Sequence, residues 1–181
     1  MDHPNDEDED AIPTTTTPST YIGSQCSDKD SFKVLSLNVQ SMNNKFDAIR
    51  ELARSTGASI LAIQETWGRN PTTEYSITGY HKPIINTRGG GGMNQGGGVG
   101  LWVQKNLDFD QIKVSWKERV CEMQAIHLPK NNLIIINVYK PFGDMNMFMT
   151  TLEENLELIR NSYPECDIII CLLYTSPSPR D

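Results

Sequence analysis

An amide, a carboxylate and a phenol, those of Asn38, Glu65 and Tyr139, each stand where an apolar run of the chain gives way to polar residues. Side chains that offer oxygen in this way suit a hard divalent cation such as Mg²⁺, which takes oxygen ligands and usually keeps several waters. Glu65 follows SILAIQ directly, and Asn38 lies near the end of the run Phe32 to Val39. If the two runs pair as neighbouring parallel strands, the carboxylate and the amide oxygen meet at one sheet rim. Tyr139 sits at the end of IIINVY, and Pro141 stops that strand from continuing far as a central one. A phenol there could orient or donate to a phosphate oxygen. On spacing alone, a helix cap or a turn role takes precedence over metal binding for Asn38 and Glu65, and an amphipathic tyrosine at a sheet rim is the default for Tyr139.

Other chemistries find less support. There is no GxSxG and no HExxH, and His127 in AIHLPK follows the strand rhythm without an acid, Ser or Cys partner in a recognised motif, so it reads as structural or surface. The segment Arg88 to Gly98 holds seven glycines but lacks GxGxxG and a Gly-Lys-Ser/Thr ending, and it leads into a strand rather than a helix. It reads as a mobile loop or hairpin, with substrate contact as a secondary role. The four cysteines, at 26, 121, 166 and 171, form no CxxC pair, which argues against a structural zinc site and a disulfide framework and fits a reducing, intracellular compartment, nuclear or cytoplasmic.

The elements that must position the three residues follow from periodicity. After the first apolar run, Phe46, Ile49, Leu52 and Ala53 recur at helical spacing, with Gly57 as the stop. SILAIQ is then a short buried strand, so the chain reads strand, helix, strand, with polar residues gathered beyond both strand ends, where open α/β sheets present their active sites. Tyr75 to Ile85 reads weakly as extended chain. Val99 to Gln104, Ile112 to Trp116, Glu122 to Leu128 and Leu133 to Tyr139 follow as short strands. A second helix has the inner stripe Met147, Phe148, Thr151, Leu152, Asn155, Leu156 and Ile159, and a last strand starts at Asp167.

Charge and composition set the boundaries. The 181 residues carry 16 Lys and Arg against 23 Asp and Glu, a formal charge of −7, but the excess acid lies outside residues 31–170, which balance. Residues 1–31 combine an acidic run, Thr14 to Thr17 and several prolines with few apolar side chains, and read as a disordered tail. No stretch approaches the ~18 apolar residues of a membrane span. Cys171 to Asp181, CLLYTSPSPRD, can be written as codons that resemble the transposase end and adapter of a tagmentation sequencing library. It is set aside as translated adapter, leaving 32–170 as the domain and implying a native continuation beyond Ile170.

The joint order LSLNVQSM, helix, ILAIQETW, GGGVGLWV, IIINVYKPFG, helix, DIII resembles the endonuclease/exonuclease/phosphatase superfamily, and particularly the apurinic-type endonuclease domain of non-LTR retrotransposons of the LINE, Jockey and CR1 kind. QET after an apolar strand is the most specific piece. The resemblance implies an α/β fold, a four-layer α/β sandwich of two packed sheets flanked by helices, of which this chain holds the N-terminal part. It implies hydrolysis of phosphodiester or phosphomonoester bonds with Mg²⁺ or Mn²⁺. By the same resemblance, Asn38 matches the active-site Asn of the first strand, Glu65 the metal-binding Glu and Tyr139 the active-site Tyr, with Glu65 and Asn38 as candidate metal ligands. Gln40 stands where apurinic repair enzymes often carry Asp, which leans toward the retrotransposon branch.

DNA is then the substrate, and a downstream reverse-transcriptase domain is expected in the full-length parent. The family's Gly-Asp-Phe-Asn and Ser-Asp-His motifs are absent from this sequence, so the fragment is expected to be inactive as it stands. The alternatives are a phosphatase of the same superfamily and a non-catalytic decayed fragment.

Overall fold

The computed structural model describes residues 32–68, 75–88 and 96–174, so the N-terminal segment 1–31 and the glycine run 89–95 lie outside the described residues. The order of elements is β1 (Val34–Asn38), α1 (Phe46–Thr56), β2 (Ile60–Gln64), β3 (Ile84–Asn86), β4 (Val99–Val103), β5 (Asp110–Ile112), β6 (Glu122–Leu128), β7 (Leu133–Lys140), α2 (Met145–Ser162) and β8 (Asp167–Tyr174). They form two four-stranded mixed sheets, ordered β1-β2-β4-β3 and β5-β6-β7-β8. β1 and β2 are parallel, as are β7 and β8, and the remaining pairs are antiparallel.

Each sheet has a helix on its outer face. Phe46, Ile49 and Ala53 of α1 pack with Leu61, Ile63 and Trp102 of the first sheet. Gly57 takes the left-handed conformation that ends α1, donating its N–H to the carbonyl of Ala53. Asp144 caps α2 by accepting the N–H groups of Asn146 and Met147 at 2.8 and 3.1 Å. Phe148, Leu152 and Ile159 of α2 then cover Met123, Ile134, Ile136 and Val138 of the second sheet. The layers run helix, sheet, sheet, helix. This is the four-layer α/β sandwich that the family resemblance implies.

Because side chains alternate along a strand, every second residue of β1, β2, β6 and β7 points into the layer between the sheets. At one end that layer is apolar, with Ile60, Val103, Leu128 and Ile126 packed together. Toward the ends of β1, β2 and β7 it becomes polar. Gln64 donates through Nε2 to Ser36 Oγ at 3.1 Å and to Asn137 Oδ1 at 2.7 Å, and Asn137 Nδ2 donates across to the carbonyls of Ile63 and Gly100 at 3.1 and 2.9 Å. Satisfied buried amides are directional, so these bonds fix how one sheet sits on the other. One step further along the same strands lie Asn38, Glu122 and Tyr139 at the rim.

Three segments differ from the sequence reading. The strand expected over Ile112 to Trp116 is β5, which starts two residues earlier and ends at Ile112, because Ser115 is instead clasped by Asn155 of α2, whose Oδ1 accepts its N–H at 2.7 Å. Of the stretch 75–85, only its end enters a strand, β3. β8 runs through Tyr174 rather than stopping at Ile170, since β7 offers a parallel partner for all eight residues, up to Lys140 opposite Tyr174. Among the described residues, no helix is long and apolar enough to cross a membrane.

Candidate active site

β1 and β2 are parallel and in register, so their C-terminal ends place Asn38 beside Gln64 and its neighbour Glu65. Asn38 Nδ2 donates to Glu65 Oε1 at 3.0 Å. The orientation of the amide is fixed by its other end, where Oδ1 accepts the backbone N–H of Gln40 at 3.1 Å, since a backbone N–H can only donate. Asn38 therefore holds the carboxylate in place. Its carbonyl oxygen is shared with a backbone donor.

The backbone here is costly. Gln40, Ser41, Glu65 and Trp67 all have positive φ, at 44°, 84°, 53° and 44°. A residue with a side chain loses roughly 1–2 kcal/mol in this region, so four of them in the two loops that follow β1 and β2 mark a place where geometry is imposed at the expense of stability. The loops are locked by Ser41 N–H to the Glu65 carbonyl at 2.8 Å and Met42 N–H to that of Thr66 at 2.9 Å.

Tyr139 reaches the same rim from the second sheet. It is only 6% exposed, and burial first, then the charge of the Glu65 carboxylate, push its phenol up to about 12. At neutral pH the phenol thus keeps its proton and is available as a hydrogen-bond donor. Asn38, Glu65 and Tyr139, far apart in the chain, stand together at one rim between the two sheets.

The structure adds residues that were not singled out in the sequence. Glu122 of β6, paired in register with Tyr139, is wholly buried and bonds Arg88 Nε at 2.5 Å. Its other oxygen, Oε2, accepts the N–H of Gly98 at 2.5 Å, and Arg119 N–H donates at 3.4 Å to Oε1, the oxygen that meets Arg88. The glycines have individual roles. A Cβ on Gly97 would lie 2.4 Å from the Arg88 guanidinium, one on Gly98 2.5 Å from Thr66 Oγ1, and one on Gly96 3.2 Å from the Trp67 indole. Of the segment read as a mobile loop, Gly96 to Gly98 and Arg88 thus form a bed beneath the site, while 89–95 lie outside the described residues. The signal that could have found Glu122, Gln64 and Asn137 is a polar residue at an inward position of an otherwise apolar strand. His127 is at the far end of β6, its ring tilted at 46° to that of Tyr163 with centroids 4.7 Å apart.

Among the described residues Glu65 forms no ion pair, although it is only 7% exposed. A buried carboxylate is normally paired or bound to a metal. No group of three or more His, Cys, Asp or Glu side chains is close enough to hold an ion among the described residues. One carboxylate with amide and phenol neighbours fits a hydrated Mg²⁺-type cation completed by substrate phosphate, and does not fit the tetrahedral nitrogen and sulfur set of zinc.

The buried acids also set an alkaline limit. Burial raises the thiols of Cys121 and Cys171 from 9.0 to about 11, and the Tyr139 phenol stands at about 12. Each group holds its proton more tightly folded than unfolded, so its contribution is fully present below the unfolded value and is lost as pH rises through the folded one. Urea midpoints should be flat up to about pH 8.5 and fall between pH 9 and 12. Each thiol contributes on the order of 2 kcal/mol to the fall, and Cys171→Ala should remove its share.

Residues 35–172 match the Endonuclease/Exonuclease/phosphatase family. No curated protein matches the chain. Among solved structures, the human Nocturnin catalytic domain with bound sulfate superposes with a TM-score of 0.56 at 15% identity, covering 78% of this chain and 62% of that one. The endonuclease domain of TRAS1, a telomere-specific non-LTR retrotransposon, gives 0.54 at 18% identity, covering 77% and 57%. A mannosyl-6-phosphatase of Bacteroides thetaiotaomicron gives 0.53 at 13% identity, covering 73% and 60%. The chain thus spans about three fifths of the length of these structures. With the two-sheet sandwich and a rim that gathers a carboxylate, an amide and a phenol, the chain belongs to the Endonuclease/Exonuclease/phosphatase family.

Proposed function

We infer that this chain is part of a divalent-metal-dependent phosphodiesterase that nicks DNA, the target-cleaving endonuclease of a non-LTR retrotransposon polyprotein with a reverse-transcriptase domain downstream. It would work inside the cell, in the nucleus or cytoplasm. The observation that carries the hydrolytic part of this reading is the buried Glu65 carboxylate, held by Asn38 and unpaired by any cation among the described residues. Gln40 in place of an acid, and QETW after β2, support the retrotransposon branch.

Glu65 is the residue that would hold Mg²⁺ or Mn²⁺, with Asn38, itself a candidate ligand, as its positioning partner. The cation, when bound, supplies Lewis-acid polarisation of the phosphate and stabilises charge on the leaving 3′ oxygen. Tyr139, kept protonated, donates to a non-bridging phosphate oxygen where charge develops. Arg88 is engaged by Glu122 and keeps the Gly97–Gly98 bed in place beneath the phosphate. Water is the nucleophile. The acid that activates it belongs to the family's Gly-Asp-Phe-Asn and Ser-Asp-His motifs, which in this reading lie in the native continuation of the domain.

Supercoiled plasmid relaxation tests the reading, with the domain continued from the transcript through those two motifs. Nicking with Mg²⁺ that EDTA abolishes is the expected result. Release of phosphate from a small sugar phosphate without any plasmid nicking would replace the nuclease with a phosphatase.

A further inference from the structure

Two large aromatic side chains stand exposed beside the site. Trp67, two residues after Glu65, is 39% exposed, and Phe142, three residues after Tyr139, is 76% exposed. Both sit on braced loops. Trp67 holds a left-handed backbone at φ 44°, its N–H donates to the Gly97 carbonyl at 2.9 Å, and its indole lies against Gly96, where any Cβ would crowd it. The loop of Phe142 is clamped by the buried Lys140 ammonium, which donates to the carbonyls of Pro141 and Gly143, each at 3.2 Å.

Burying an aromatic ring is favourable, so a fold that strains a Trp backbone in order to present the ring to solvent uses that ring for contact. One loop follows β2 of the first sheet and the other follows β7 of the second, and Glu65 and Tyr139, from which they run, are neighbours. The aromatics therefore lie on the two sheets' sides of the same rim. The Lys45 ammonium braces the neighbouring β1 loop in the same way, donating to the carbonyls of Val39 and Gln40 at 2.6 and 3.3 Å.

We propose that Trp67 and Phe142 are a pair of nucleobase-stacking surfaces that grip the unstacked bases flanking the scissile phosphate, one from each sheet. Stacking of bases on aromatic side chains is one way in which proteins hold single-stranded nucleic acid without reading sequence. This deepens the nuclease reading and rests on it: a small sugar phosphate has no base to stack.

The test uses the purified 181-residue chain and two labelled single-stranded probes of equal length and charge, an oligothymidylate and an abasic deoxyribose-phosphate oligomer, with binding followed by fluorescence anisotropy. The oligothymidylate should bind about tenfold more tightly or better. Trp67→Asn combined with Phe142→Ser should bring the two probes to equal affinity. Asn tolerates the left-handed backbone and both positions are exposed, so circular dichroism should be unchanged. Trp67→Phe should keep most of the preference. Equal binding of both probes by the unaltered chain overturns the stacking proposal and leaves the nuclease reading standing. Failure of either probe to bind, with the fold intact, overturns both.

Discussion

Glu65→Asn in the complete domain should lower plasmid nicking by on the order of a hundredfold to ten-thousandfold while leaving the fold as stable as before or more so. The activity loss follows from removing the carboxylate that would hold a divalent cation at the rim, since cation stabilisation of the reacting phosphate amounts to several kcal/mol and each 1.4 kcal/mol is about tenfold in rate. The stability gain has two sources. Glu65 has φ 53°, a region that Asn accepts more readily than Glu. Its carboxylate is also buried without an ion pair among the described residues, so the Asn38 amide offsets its desolvation but no counter-charge does until a cation binds. A third readout is independent of activity. The charge of Glu65 holds the Tyr139 phenol up, so the substitution should move that phenol's ultraviolet titration down from about 12, leaving the larger effect of burial in place. Denaturant unfolding, phenol titration and nicking rates check the three parts separately. A destabilised protein that still nicks would remove Glu65 from the site.

Arg88→Met should cost roughly 3–5 kcal/mol in denaturant unfolding, the usual result of stripping the partner from a buried ion pair. Glu122 is fully buried, and without Arg88 it keeps, among the described residues, the N–H groups of Gly98 and Arg119 against its charge. Adding Glu122→Gln should restore much of the loss, because a neutral amide in that pocket needs no cation. The two substitutions are therefore strongly non-additive, which a double-mutant cycle measures directly. Arg88 also holds the Tyr139 phenol down. Its removal should raise that phenol further, the opposite of the shift expected for Glu65→Asn. Additive effects of the two changes would mean that the pair contributes nothing specific to the bed on which the site rests.

These outcomes separate what the chain wrote locally from what the assembled sheets impose. Apolar runs such as VLSLN and ILAIQ, each ending in a polar residue, identify β1 and β2 and put Asn38 and Glu65 at strand ends, because alternation and length are properties of a few neighbouring residues. The helices were legible for the same reason, down to Gly57 as the stop of α1, where a residue without Cβ takes φ 61° at no steric cost. Ile112 to Trp116 was misplaced because Asn155, forty residues away, takes the backbone of Ser115 and ends the ladder.

What the sequence by itself determined about this protein is the kind and order of its elements and three residues of the rim. The tertiary structure alone decided that Asn38 donates to Glu65, that Arg88 answers Glu122, that Gly96 to Gly98 carry three side chains on bare backbone, and that Gln64 meets Asn137 across 73 residues of chain. The physical reason is range. Periodicity and turn chemistry act over a few residues and fix which way a side chain faces, whereas the partner it meets depends on how two sheets stack. That stacking is set by the burial of the whole layer between them, to which no short stretch of sequence answers alone.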